Sequence, residues 1–169
     1  TRMGHDTPRQ FLKIAGKTIL RHTVERLHTY LPDAKIMVMT DPNYVQQAQN
    51  ELTSIKNTLL THGGKTRKES VYNGLKCITN VKHDDLILIH DAARPFITYN
   101  EINDIIQALD TNKAATLYSP SHNSICTVND FCKIANYQDR DQLKNILTPQ
   151  GFHYDLIMHA HNHHAEENE

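Results

Sequence analysis

Apolar and polar positions follow two different periods, which take turns along the chain. Leu20, Val24, Leu27 and Leu31 recur at the spacing of an amphipathic helix, and the apolar run KIMVMT follows them. The next segments repeat this exchange, with helix patterns in YVQQAQNELTS and KESVYNGLKCI and a strand pattern in NTLLTHGG. Right-handed crossovers join parallel strands in such sequences. The pattern therefore predicts an α/β fold with a mostly parallel sheet flanked by helices.

The apolar run LILI, residues 86–89, ends abruptly in the polar cluster HDAARP. We expect a strand buried on both faces, with His90, Asp91 and Arg94 at its carboxyl end. Ligands bind at that edge of open α/β sheets, so an acid and a base three residues apart form a candidate site. A surface loop with an internal Asp91–Arg94 ion pair explains the same spacing, and the spacing alone leaves both interpretations open.

The alternation of helix and strand patterns continues to about residue 120 and then stops. TYNEINDIIQALDTN predicts a helix capped by Thr98 or Asn100, and AATLYSP predicts a short strand. Residues 121–138 contain short strand-forming pieces instead of another crossover, which indicates a hairpin or projecting arm. No repeat, linker or domain boundary is visible, so we treat residues 1–169 as one domain.

Composition excludes several classes of partner. The net charge is −1 over 169 residues, without a polybasic arm for nucleic acid or an anionic membrane surface. The sequence contains no signal peptide and no apolar span, and its three cysteines suit a reducing cytoplasm. The chain begins at Thr1 without a leading strand. We therefore expect a fragment that lacks a first strand.

Two stretches carry features suited to phosphate binding. Arg2 and Arg9 lie in a segment that glycine and proline break into a loop, and guanidinium groups offer paired donors to phosphate oxygens. Gly63 and Gly64 form a turn after a predicted strand and allow a backbone to approach a ligand closely. A basic N-terminus and an ordinary turn explain the same residues without any ligand.

Taken together, the motifs TRMG, TPRQFL, HGGKTRKESVYNGL, IHDAARPFI and LTPQGF resemble the cytidylyltransferases of polyol phosphates, in the same order and spacing. The resemblance implies a Rossmann-like nucleotidyltransferase three-layer sandwich with a dimerisation arm at about residues 121–138, acting as a homodimer. It also implies transfer of CMP from CTP to a polyol phosphate with release of pyrophosphate. IHDAARPF favours 2-C-methyl-D-erythritol 4-phosphate as the acceptor, and ribitol 5-phosphate is the alternative. The resemblance also implies that a C-terminal segment is missing, so a non-catalytic binding fragment is a second alternative.

The resemblance also implies roles for individual residues. The catalytic residues around the triphosphate would be Arg2 and Arg9. At position 9, arginine replaces the lysine of the family. The nucleotide would be bound by Gly63, Gly64, Ser70, Asp91 and Ala92. The acceptor would be bound by Arg94, Ser124, Arg140 and Thr148, the last two reaching across from the neighbouring subunit. Asp91 would also lie at a magnesium ion.

Two groups of histidines invite other interpretations. His90 could act as a general base, but the attacking phosphate oxygen is already anionic, so we expect a structural role. His159 and His163 are spaced to share one face of a helix, as in a zinc or nickel chelate. No core surrounds them in the sequence, and we expect a solvated helix end.

Overall fold

The computed structural model describes residues 7–166, with side chains through residue 163. In this part of the chain, helices and strands alternate as the sequence predicts. The elements are β1 (Lys13–Ile14), β2 (Lys17–Thr18), α1 (Ile19–Tyr30), β3 (Ile36–Thr40), α2 (Val45–Leu52), β4 (Thr58–His62), α3 (Arg67–Lys76), β5 (Leu86–Ile89), α4 (Tyr99–Leu109), β6 (Ala114–Pro120), β7 (Ile125–Val128), β8 (Ile134–Gln138), β9 (Lys144–His153) and α5 (Tyr154–Glu166). The short β1–β2 hairpin and the strand β9 were not predicted as strands.

The strand pairing differs from the predicted, mostly parallel sheet. β3 and β4 are parallel and are joined through α2, as expected. β9 instead lies between β5 and β6 and runs antiparallel to both. The reason is that the chain after β6 makes no helical crossover. It runs out through the β7–β8 hairpin and returns directly as a ten-residue strand.

A cavity separates β3 from β5. Each of these strands has one pairing partner among the described residues, β4 for β3 and β9 for β5. The cavity has a volume of about 460 Å³, and Val38, Leu86 and Leu88 are among its lining residues. The expectation that β5 is covered on both faces is therefore wrong, because Leu86 is 40% exposed and the rest of the strand is only half-buried.

The larger core cluster packs α1 and α2 against β3. Thr18 begins α1 by accepting a hydrogen bond from the Arg21 backbone N–H at 3.2 Å. Leu20 and Val24 on the predicted apolar face are then almost completely buried, in one cluster with Val38. Burial of each such side chain contributes about 1.5–3 kcal/mol, so this face fixes the helix on the sheet.

α4 packs under β9 through a close helix–strand contact. Its Thr98 cap is confirmed, as part of a capping box with Glu101. Ile105 and Leu109 are buried against Gly151 of β9, where an added Cβ would lie 2.5 Å from Ile105 Cγ2 and 2.8 Å from Leu109 Cδ1. Glycine at 151 therefore lets β9 reach its central position, from which it carries Thr148 towards the end of β5.

The predicted hairpin is present at residues 125–138. β7 and β8 pair antiparallel, and every residue of β8 is exposed. Phe131, near the turn, is 82% exposed, and Tyr137 is 71% exposed. The hairpin thus projects large apolar side chains without packing a core of its own. Its role in dimerisation stays a prediction.

Candidate functional site

The first polar edge is the turn that joins β4 to α3. β4 ends at His62, and the Gly63 backbone N–H donates to the carbonyl oxygen of Thr40 at 2.8 Å. The Gly64 N–H donates to Oγ of Ser70 at 2.9 Å. The Ser70 hydroxyl in turn donates to the carbonyl oxygen of Thr66 at 2.9 Å. The structure therefore brings together the three residues predicted to bind the nucleotide's base and ribose.

Glycine at position 64 is required by the first turn of α3. Thr66 and Glu69 form a capping box, in which the Glu69 carboxylate accepts from the backbone N–H groups of Lys65 and Thr66. This folds the glutamate back over the turn, so a Cβ on Gly64 would lie 2.8 Å from Glu69 Oε2 and 3.0 Å from its backbone carbonyl carbon. The turn thus presents bare backbone, to which a flat ligand can come close.

The second polar edge is the turn after β5. The Arg94 N–H donates to the Asp91 carbonyl oxygen at 3.1 Å, and Arg94 Nε donates to Asp91 Oδ2 at 3.0 Å. Nε2 of His90 lies 3.0 Å from the Arg94 carbonyl oxygen. The Ala92 carbonyl oxygen accepts from the Thr23 hydroxyl of α1 at 2.9 Å. The Asp91–Arg94 ion pair expected for a surface loop is present, and it lies at the strand end where a ligand site was also expected.

His90 is half-buried inside this turn. Burial lowers the pKa of its imidazole below the ordinary value of 6.5, while the contact with the Arg94 carbonyl and the charge of Asp91 act in the opposite direction. Nδ1 is buried and has no hydrogen-bond partner among the described residues. A neutral imidazole that stabilises the turn through the contact of Nε2 with the Arg94 carbonyl agrees with the structural role expected from the sequence.

β9 brings a third segment to the same place. The Asp91 backbone N–H donates to Oγ1 of Thr148 at 3.2 Å. The expected reach of Thr148 into a neighbouring subunit stays a prediction, whereas its contact with the Asp91 turn of its own chain is present. The physical reason is the register of β9 on β5, which places Gln150 opposite Ile89 and so brings Thr148 to the Asp91 turn.

Arg67 joins the two polar edges and was not among the predicted site residues. Its Nη2 donates to Oε1 of Gln150 at 3.2 Å, and its Nε lies 3.7 Å from Oδ1 of Asp91. The signal in the sequence was its place in HGGKTRKES, at the start of a predicted helix. Its partners lie in segments that only the position of β9 brings close.

Other predicted residues lie apart from this group. Ser124 and Arg140 are exposed next to the hairpin, and Arg9 is exposed in a 3-10 turn before β1. No contact among the described residues joins any of these three to the Asp91 turn. Arg2 lies outside the described residues.

A magnesium ion fits this site only together with a nucleotide. Within the described part of the chain, no three histidine, cysteine, aspartate or glutamate side chains come together as metal ligands. Asp91 offers one carboxylate, which faces Arg67 and Arg94. Magnesium is commonly bound by one or two carboxylates plus substrate phosphates. Asp91 fits that mode and does not fit a cation held by protein groups alone.

The histidines of α5 do not form a metal site with other described side chains. The rings of His159 and His163 meet edge to face at 4.4 Å between their centroids, and both residues are exposed. His161 stacks on Tyr72 of α3 at 5.4 Å. The exposure of His159 and His163 agrees with the expected solvated helix end, whereas His161 packs on α3. In residues 7–166, no helix combines the length and the apolar character needed to cross a membrane.

Comparison with known proteins gives evidence for the family of the chain that does not depend on the geometry of the site. The family model described as "IspD: 2-C-methyl-D-erythritol 4-phosphate cytidylyltransferase" matches residues 1–169. The enzyme of that name from Mannheimia succiniciproducens is 34% identical over 160 residues, covering 95% of this chain and 69% of the relative. The one from Thermosipho africanus is 35% identical over 162 residues, covering 93% and 70%.

Solved structures agree with the sequence matches. The structure of 2-C-methyl-D-erythritol 4-phosphate cytidylyltransferase from Francisella tularensis superposes with a TM-score of 0.80 at 26% identity, covering 96% of this chain and 74% of that one. The 4-diphosphocytidyl-2C-methyl-D-erythritol synthase structure from Anaerococcus prevotii gives a TM-score of 0.84 at 24% identity, covering 93% and 71%. The second likeness shows the fold alone.

Proposed function

Because the chain belongs to the 2-C-methyl-D-erythritol 4-phosphate cytidylyltransferase family, we propose that it transfers CMP from CTP to 2-C-methyl-D-erythritol 4-phosphate and releases pyrophosphate. The observation that carries this proposal is the meeting of three segments around the ends of β4 and β5. The turn at Gly64, the turn at Asp91 and the strand residue Thr148 are linked by hydrogen bonds and ion pairs. They correspond to the segments expected for nucleotide and acceptor.

The proposed chemistry needs positioning more than covalent participation. An oxygen of the acceptor phosphate attacks the α-phosphorus of CTP, the bond to the β-phosphate oxygen breaks, and pyrophosphate leaves. Negative charge then grows on the non-bridging oxygens, which Arg2 and Arg9 would stabilise. The backbone of Gly63 and Gly64 would receive the base and ribose, and Arg94 the acceptor.

Magnesium belongs to this proposal as a partner of the nucleotide. Asp91 would hold it together with phosphate oxygens, and when bound it supplies positive charge against the triphosphate. We also propose a Rossmann-like three-layer sandwich for the domain, supported by α2 crossing between parallel β3 and β4 and by helices packed on the strands. A cytoplasmic location is supported by the three free cysteines.

A homodimer is the proposed assembly. The hairpin of β7 and β8 exposes Val128, Phe131 and Tyr137 on a two-stranded sheet with open edges. Open strand edges and exposed apolar side chains favour pairing with a second copy. In such a dimer, Ser124 and Arg140 at the base of the hairpin could approach the site of the other subunit.

The test is pyrophosphate release by the purified 169-residue chain, with CTP and magnesium, and with 2-C-methyl-D-erythritol 4-phosphate or ribitol 5-phosphate as acceptor. We expect release with the first acceptor and preference for CTP over UTP. Faster release with ribitol 5-phosphate would instead assign the alternative acceptor. Binding of CTP without turnover with either acceptor would favour the non-catalytic alternative.

A further inference from the structure

Arg67 contacts strand β9 and the turn that follows β5. As the first residue of α3, it donates from Nη2 to Gln150 Oε1 at 3.2 Å, and its Nε lies 3.7 Å from Asp91 Oδ1. Gln150 is the register partner of Ile89, two residues before Asp91. One guanidinium therefore links the nucleotide turn to the strand ends that carry the expected acceptor residues.

The position of Arg67 is electrostatically unfavourable for a cation. It lies in the first turn of a ten-residue helix, the positive end of the helix dipole, with Lys65 and Lys68 beside it. The capping box of Thr66 and Glu69 fixes this turn and so fixes where the arginine side chain starts. The Asp91 carboxylate offsets the charge of Arg67.

Two guanidinium groups hold the Asp91 carboxylate, one on each oxygen. Arg94 Nε lies 3.0 Å from Oδ2, and Arg67 faces Oδ1. The three side chains are 38–56% exposed, and ion pairs at such exposure add little to stability. Their geometric effect is larger, because engagement of both oxygens restricts rotation of the carboxylate.

We propose that Arg67 is a positioning residue, which holds the Asp91 carboxylate and, through it, Arg94 in place relative to the nucleotide turn. The proposal rests on the proposed function, in which Arg94 receives the acceptor. Arg67 then acts on acceptor binding and turnover and has little effect on CTP affinity. A direct contact of Arg67 with CTP would produce the opposite pattern.

The kinetic test compares Arg67→Gln with Lys68→Gln, which removes the same charge one residue further along. Arg67→Gln should lower kcat/KM for the acceptor about tenfold, because small misplacements of a binding group are costly, and leave the CTP dissociation constant within about twofold. Arg67→Lys keeps the charge but lacks the paired donors of the guanidinium group, so its kcat/KM for the acceptor should lie between those of Arg67→Gln and the wild type. Lys68→Gln should change acceptor kcat/KM by less than about twofold.

A second readout does not need turnover. The Nε–H signal of Arg94 in nitrogen–proton spectra of the ligand-free chain reports its pairing with Asp91. Arg67→Gln should move this signal and speed its exchange with water, as Asp91→Asn should also do, and Lys68→Gln should leave it in place. Rescue of the signal by Arg67→Lys would support positioning through charge and contact.

The outcomes separate this inference from the proposed function. If the wild-type chain releases no pyrophosphate, the proposed function fails and the Arg94 signal alone decides whether Arg67 positions the carboxylate. If the wild type is active but Arg67→Gln behaves like Lys68→Gln in both readouts, positioning by Arg67 is overturned. A loss of CTP affinity of tenfold or more in Arg67→Gln would also overturn it, in favour of direct nucleotide contact.

Discussion

The backbone N–H of Asp91 donates to the hydroxyl oxygen of Thr148 at 3.2 Å, joining two residues that are 57 positions apart. This bond ties the turn after β5 to the middle of β9, and both residues are half-buried. The Asp91 carboxylate is engaged by arginines at the same time. Backbone and side chain of one residue are thus fixed by different elements.

Replacing Thr148 with valine should weaken both the fold and the site. Valine keeps the shape but offers no acceptor, which leaves the Asp91 N–H without its partner at a cost of about 1–3 kcal/mol in the free energy of unfolding. Thr148→Ser keeps the hydroxyl and is the control. Urea unfolding should show the loss for valine only, together with a lower kcat for pyrophosphate release. Equal stability of the two variants would contradict a structural role for this hydrogen bond.

Much of the fold could be predicted because local patterns specify it. The apolar spacing of α1 and the capping residue Thr98 of α4 depend on neighbours within a few positions, and both agree with the structure. β9 could not be predicted in this way. Its TPQGF segment shows no clean alternation, and glycine at 151 is explained only by contact with α4. The antiparallel pairing of β9 with β5 and β6 was missed for that reason.

The candidate site, too, could be predicted only where its residues lie close together in the sequence. Gly64 and Ser70 lie within one short stretch, so a motif could assign them together, and they share a hydrogen bond. Arg67 was missed because its partners, Asp91 and Gln150, come from two other segments. The contact of Thr148 with the Asp91 turn of its own chain was missed for the same reason, since it depends on the position of β9.

Gly64→Ala should damage nucleotide binding far more than Gly63→Ala. A Cβ at 64 would overlap the Cβ of Glu69 and lie 3.0 Å from that residue's backbone carbon, so the first turn of α3 must shift. At Gly63 the nearest atom would be the Ser70 hydroxyl oxygen at 3.1 Å, on a side chain that can rotate.

We therefore expect CTP affinity, measured by calorimetry, to fall by about tenfold or more for Gly64→Ala, since one lost charge-assisted or backbone hydrogen bond is worth roughly 1–2 kcal/mol. The Gly63→Ala variant should retain most of its affinity. The reverse order would show that the turn does not approach the nucleotide through Gly64.

His90 should make the protein less stable in mild acid. Burial lowers the pKa of its imidazole below 6.5, so the unfolded chain binds the proton more readily than the folded chain. The free energy of unfolding is then unaffected by this group above about pH 6.5 and falls as the pH drops through the folded pKa, by at most about 1.4 kcal/mol per pH unit.

His90→Gln removes this titration and keeps an amide that can donate to the Arg94 carbonyl. Urea unfolding at pH 8, 6.5 and 5 should therefore give a flatter dependence for His90→Gln than for the wild type. His159→Gln, on the exposed end of α5, is the control for the histidine-to-glutamine exchange itself. A slope for His90→Gln equal to that of the wild type would show that His90 is not the group responsible.

The proposed dimer predicts complementation between two inactive variants. If Arg94 serves the site of its own chain and Arg140 the site of its partner, Arg94→Ala and Arg140→Ala proteins should each be nearly inactive. After subunit exchange at equal concentrations, half of the dimers are mixed and each has one intact site, so activity should return to about a quarter of the wild-type value.

The matched control mixes the wild type with the Arg94→Ala/Arg140→Ala double variant. Sharing across the interface leaves about a quarter of the sites intact, whereas an Arg140 that acts within its own chain leaves about half. Recovery near zero in the first mixture, and half in the second, would place Arg140 at its own site and end the shared-site proposal.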